Sequence, residues 1–222
     1  MTTQQSRAFG AALPALIAVV GLAAGAGAAS ADTMVRLPNR SVSGDEGLKL
    51  VRTNESARIS PSLAANGAGR NAWVTASVKL TAPHIGTSDP GISNGPVGEA
   101  TAPGTNGSSF NNAAATFTTG YIIGCQVAIG NLTLGGSGSL SSTTVGLSGS
   151  LSVPLTPGAV TYAVIDYKNL TKPGTYHIAY TDYSVQVHGC GGYAQARSYT
   201  VVETTGDNHQ KITLLGQPFS LG

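Results

Sequence analysis

Residues 132–155 read LTLGGSGSLSSTTVGLSGSLSVPL, and no Asp, Glu, Lys or Arg occurs anywhere from Thr101 to Ile165. At the ~25% frequency of an average soluble domain, a stretch of that length would hold about 16 charges. Low complexity alone lowers that number, but it does not impose alternation. From 132 to 140 the even positions are Leu132, Leu134, Gly136, Gly138 and Leu140, and the odd ones are Thr133, Gly135, Ser137 and Ser139. After Ser141, Ser142, Thr143 and Thr144 the phase flips: Val145, Leu147, Gly149, Leu151, Val153 and Leu155 are odd, and Gly146, Ser148, Ser150 and Ser152 are even. A phase change across a short turn makes a hairpin with one apolar face and one hydroxyl face.

Each arm reaches the ~9–11 residues that a tilted transmembrane strand needs. A barrel wall alternates apolar-out and polar-in, and Arg or Lys on the lipid face costs ~2–4 kcal/mol at the midplane. On this reading Leu132, Leu134, Leu140, Val145, Leu147, Leu151 and Val153 face lipid. Thr133, Ser137, Ser139, Ser141, Ser142, Thr143, Thr144, Ser148, Ser150 and Ser152 line a pore. A hairpin alone would leave strand edges unpaired in hydrocarbon. The smallest such barrels have about eight strands, so at two strands per chain at least about four chains must close a ring. Two soluble readings stand beside this one: a half-buried strand pair, and a Gly/Ser linker. No aromatic residue lies between Tyr121 and Tyr162, so the tip side lacks the aromatic girdle of many barrels.

The chain begins with Arg7, an apolar run from Phe9 to about Ala24, and small residues ending Ala29-Ser30-Ala31. That pattern is expected to be a secretory signal peptide over 1–31, cut before Asp32. The remainder, 32–222, is expected to be a single domain. Its candidate strands are Met34–Leu37, Leu48–Arg52, Ala57–Ile59, Ala72–Leu80, Ala115–Ile129, Tyr176–His188, Ala194–Glu203 and Lys211–Leu215. The Pro/Gly/Asn-rich stretch 81–112 reads as a loop. No helix-period segment of useful length appears, so the fold class is all-β. A net charge of +2 gives no electrostatic case for nucleic acid. The two cysteines, Cys125 and Cys190, are expected to form a disulfide in an oxidising space, with two buried free thiols as the alternative.

TTGYIIGCQV (118–127), GLSGSLSVPLTPG (146–158), VQVHGCGGYAQARSYTVVETTGDNHQKITLLGQPFSLG (185–222) and NESARISPSLAANGAGRNAW (54–73) resemble the MspA-type porins of mycolic-acid-containing actinobacteria, in the Nocardia and Rhodococcus branch. The likeness covers most of 40–222 apart from 81–112. It implies a β-sandwich rim (about 32–124 and 166–222) and a long inserted hairpin (about 125–165) that joins an oligomeric transmembrane barrel. It further implies a homo-octamer in the outer membrane (mycomembrane), in contact with its lipids, passing small hydrophilic solutes and ions with no cofactor. A paralogous porin chain could alternate with it in the ring. The family's adjacent aspartates at the narrow end of the hairpin have no counterpart in GSGSLSSTTVG (136–146), so no acidic constriction carries over.

Enzymatic readings find no support. His84, His177, His188 and His209 show no metal-ligand spacing, and the G-x-S-x-G at Gly91–Gly95 falls inside the Pro/Gly-rich loop with no helix-period segment after it, so it is not a nucleophile elbow. Gly189-Cys190-Gly191-Gly192 reads as a bulge or tight bend. The competing non-enzyme reading is a secreted or wall-associated β-sandwich that binds a partner, with 126–165 as an extended arm.

The parity reading makes a direct prediction. Single cysteines at 132–134, 137, 139, 147, 148 and 150–153, in a background lacking the native pair, should react with a water-soluble thiol reagent in strict alternation. Reaction at the leucine and valine positions rather than the serine and threonine positions refutes the register.

Overall fold

The computed structural model describes residues 32–61, 69–88, 113–127, 150–153, 160–205 and 207–222, with backbone alone for 150–153. The described residues form eleven strands: β1 (Thr33–Arg36), β2 (Arg40–Ser43), β3 (Lys49–Pro61), β4 (Arg70–Ala82), β5 (Ala115–Cys125), β6 (Ser150–Val153), β7 (Val160–Leu170), β8 (Gly174–Val187), β9 (Ala194–Thr204), β10 (Lys211–Leu215) and β11 (Phe219–Ser220). The fold is all-β. One sheet runs β1-β3-β4-β8-β6, with β2 also on β3. The other runs β10-β9-β5-β7, with β11 also on β9. Every pairing is antiparallel except β6 with β8.

Alternation explains the layers. In β4 the even residues Ala72, Val74, Ala76, Val78 and Leu80 are buried, and so are Phe117, Tyr121 and Ile123 of β5. These side chains meet in one apolar cluster between the sheets, as the two inner faces of a sandwich do.

The stretches expected at Leu48–Arg52 and Ala57–Ile59 are one strand, β3, broken in phase by a bulge between Thr53 and Ser56. Asn54 takes a left-handed φ of 55° there, a conformation Asn tolerates better than most residues. The extra residue turns both Arg52 and Glu55 inward, to 0% and 2% exposure. Arg52 Nη1 donates to Glu55 Oε1 at 3.3 Å. Its Nη2 donates to Thr119 Oγ1 at 3.1 Å, to the Tyr199 carbonyl at 2.9 Å and to the Thr200 hydroxyl. Tyr121 donates to the same Glu55 oxygen at 3.4 Å, and Tyr180 donates to Tyr121 at 3.3 Å. Burial, with Tyr180 and Glu55 beside it, pushes the Tyr121 phenol well above its ordinary pKa. A buried charge is tolerable only when paired and hydrogen-bonded, and this network supplies most of those bonds.

Other expectations differ from the structure in detail. The strand expected over Ala115–Ile129 ends at Cys125 among the described residues. Short β2 and β11 pair only with the ends or middles of longer strands, and four or two residues carry too little pattern to read. Residues 160–165, expected in the second hairpin arm, belong to β7, which pairs along β5. The proposed leader, 1–31, lies outside the described residues.

Gly120 faces Val164 and Tyr199 across the sheet. A methyl group there would stand 2.1 Å from the Ala163 carbonyl oxygen and 2.9 Å from the Tyr199 ring. Gly120→Ala should therefore lower stability by about 1–3 kcal/mol, seen as a lower urea midpoint. Gly86→Ala, with nothing within 4 Å, should change it by less than about 0.5 kcal/mol.

Candidate pore-forming segment and its root

The charge-free segment leaves the sandwich at the end of β5 and rejoins the five-stranded sheet at the start of β7. Gly124 pairs with Val160 across that opening. The exit is pinned from three directions. Cys125 and Cys190 form a disulfide with a Cα–Cα distance of 5.8 Å, and both residues are buried. The Gln126 N–H donates to the Tyr193 carbonyl, and the Gly191 N–H donates to the Val127 carbonyl, each at 2.9 Å. The bend that allows this is the glycine run after β8, where Gly189 adopts a φ of 70°, readily available to a residue without Cβ.

Most residues assigned above to the hairpin lie outside the described residues. These are Leu132, Thr133, Leu134, Ser137, Ser139, Leu140, Ser141, Ser142, Thr143, Thr144, Val145, Leu147 and Ser148. Ser150, Leu151, Ser152 and Val153 form β6, which lies parallel to Ser184–Val187 on the edge of the six-stranded sheet. Their backbone thus runs toward the root, alongside β8.

The first charges after the segment sit on β7 and just beyond it, progressively farther from the root. Asp166 is half-buried and accepts the Tyr167 N–H at 2.8 Å. Lys168 and Lys172 are exposed. Among the described residues no group of three or more His, Cys, Asp or Glu is placed to hold a metal ion. His177 lies within β8 and His188 directly after it. No helix of the described residues is long and apolar enough to cross a membrane, which leaves crossing by strands open.

The residues the sequence did not single out are Gln126, Val127 and Tyr193, whose backbones help hold the exit. Only the nearby Gly-Cys-Gly-Gly signalled a bend; a backbone bond between residues so distant in sequence has no local signature.

The family model for MspA matches residues 98–220. The chain belongs to the MspA family. The match takes in β5 to β11 and both cysteines, whereas the likeness noted over 54–73 falls outside it. No curated protein sequence matches the chain. Membership places the chain in a family of porins, outer-membrane and oligomeric proteins rather than enzymes.

In this MspA-family chain the disulfide joins residues 65 apart. Replacing both cysteines by Ala should cost about 4 kcal/mol in the chain-entropy picture. The shift is measured by chemical denaturation of the full chain beside the wild type under non-reducing conditions.

Proposed function

We propose that this chain is one subunit of a homo-oligomeric pore in the outer membrane (mycomembrane) of the cell envelope, exported there by the leader 1–31. The pore gives small hydrophilic solutes and ions a passive path. One observation carries the reading: a parity-alternating segment without a single charge leaves a covalently pinned root between Val127 and Val160. Membership of a porin family supports it. In this proposal the rim is the sandwich, and the stem is built from the hairpin of several chains, an octamer by family resemblance. The apolar set Leu132, Leu134, Leu140, Val145, Leu147, Leu151 and Val153 meets lipid, and the hydroxyl set lines the lumen.

Assembly on this plan requires Ser150–Val153 to exchange β8 for a neighbouring arm. The pairing given up is short and parallel, the less stable kind per residue. The same observation favours a second reading, in which the segment stays folded against a secreted sandwich that binds a partner.

Planar-bilayer recording separates the two. A pore subunit gives stepwise conductance from the detergent-extracted oligomer; a sandwich purifies from medium as a monomer and gives none. The lumen as assigned is neutral, so the wild-type pore should show weak charge selectivity. Ser142→Asp, repeated around the ring, places a band of carboxylates at the constriction and should produce strong cation preference. Asp166→Asn should act modestly and mostly at low salt, since the screening length is ~10 Å at 0.1 M. The measurement is the reversal potential across a salt gradient.

A further inference from the structure

At the root end, the outer face of the five-stranded sheet carries two neighbouring cross-strand rows. Val160, Gly124 and Gln195 form the terminal row, and Tyr162, Ile122 and Arg197 the next. Gly124 contributes no side chain between its two neighbours, which leaves a trough. With Tyr193 and Pro218 at its margin, the trough is an open concavity of about 690 Å³. That volume lies within the ~300–1,000 Å³ range of small-ligand sites.

The chemistry of its lining is lopsided. Among the described residues that line it, Arg197 is the one charged side chain and none is a carboxylate. The Arg197 Nε donates to the Gly216 carbonyl at 2.8 Å, which fixes the guanidinium. Its two terminal nitrogens make no hydrogen bond or ion pair among the described residues. Around it stand exposed apolar groups: Val160 at 51% and Tyr193 at 49%. A fixed cation with free donors, beside exposed aliphatic and aromatic surface, matches an amphiphile with an anionic headgroup. Arg in particular suits bidentate contact with a phosphate.

Position selects the source of such a molecule. Val127 is the last described residue before the exit, and Val160 opens β7 on the return. If the segment between them enters hydrocarbon, the trough stands at the boundary where lipid headgroups lie. Tyr side chains, apolar with one polar tip, are enriched at that level. Tyr162 and Tyr193 would form such a girdle at the root, the end opposite the tip where the sequence lacks one.

We propose that this trough is a binding site for an anionic membrane phospholipid, with the phosphate on Arg197 and the acyl chain along Val160, Ile122 and Tyr162. The proposal rests on the pore reading for its membrane geometry.

The test uses the full-length oligomer in detergent, titrated with dihexanoylphosphatidylglycerol or dihexanoylphosphatidylcholine and read by native mass spectrometry. The expected result is preferential retention of the glycerol lipid. Arg197→Gln should weaken it about tenfold, a 1.4 kcal/mol change, and Arg197→Lys should weaken it less. Gly124→Val, which fills the trough, should reduce retention of both lipids. Oligomer size and thermal midpoint confirm that each variant folds, and retention by Gly124→Val alone suffices if Arg197→Gln does not. Equal retention of the two lipids, no retention, or retention unchanged in the variants overturns the proposal. So does cross-linking of Tyr193→Cys between subunits by a short bis-maleimide, which would place a neighbouring chain in the trough. Conductance is recorded for every sample in phosphatidylcholine bilayers. Conductance without lipid retention rejects the lipid site and leaves the pore standing, whereas absence of conductance rejects the pore itself.

Discussion

Arg52 ties the two sheets of the sandwich together through a single planar group. It comes from β3 in one sheet and reaches Thr119 of β5 and the Tyr199–Thr200 segment of β9 in the other. Dispersion between apolar side chains is indifferent to small slides of one sheet over the other. A guanidinium whose partners sit on three strands is not, because its donors point in fixed directions. The charge must be there for its geometry rather than for stability, since buried ion pairs often gain little over apolar residues of similar size. Its Nε and the second Glu55 oxygen have no partner among the described residues. What it secures is the relative placement of β3, β5 and β9.

That placement matters because β5 is the strand that ends at the exit. Its inner face carries Phe117, Thr119, Tyr121 and Ile123, and its last residue is half of the disulfide. A single strand therefore runs from the Arg52 network in the core to the point where the charge-free segment departs. Force applied at the exit meets a disulfide, two backbone bonds to the 191–193 turn, an unbroken ladder to β9 and a ladder to β7 with one register shift at Thr119–Gly120. A mobile or inserted segment is best carried on so rigid a base.

Much of this was legible in the sequence, and the failures have physical causes. The all-β class followed from alternation, and the disulfide from two cysteines in an exported chain. β4, β9 and β10 were found within a few residues, since each keeps one register with its neighbours over most of its length, and β8 was found too although its phase changes at Asp182. β3 was read as two pieces because its phase changes at Asn54, and because an inward Arg and Glu look like a solvent face. β7 was credited in part to the hairpin: VTYAVI alternates like the serine-rich arms before it, and only its pairing with β5, some forty residues away, shows that it extends the five-stranded sheet. The root was half visible. The cysteines and glycines announced a junction, while the trough around Arg197 depends on three strands coming side by side and has no signature in any one of them.

The bulge at Asn54 has a matching one in β8. There Asp182 adopts a φ of 48°, and the register skips between Val74 and Ala76 of β4. β4 thus runs straight between two neighbours that each carry one residue more at nearly the same level. Side chains alternate with period two, so each extra residue acts as a frame-setter for everything beyond it. Losing Asn54 would leave β3 in strict alternation, with Leu50, Arg52, Glu55, Ala57 and Ile59 all still inward and Ser56 still opposite Thr75. Replacing it is harder, because a β-branched side chain is strained at its left-handed φ of 55°. Identity at this point is thereby more strictly constrained than length.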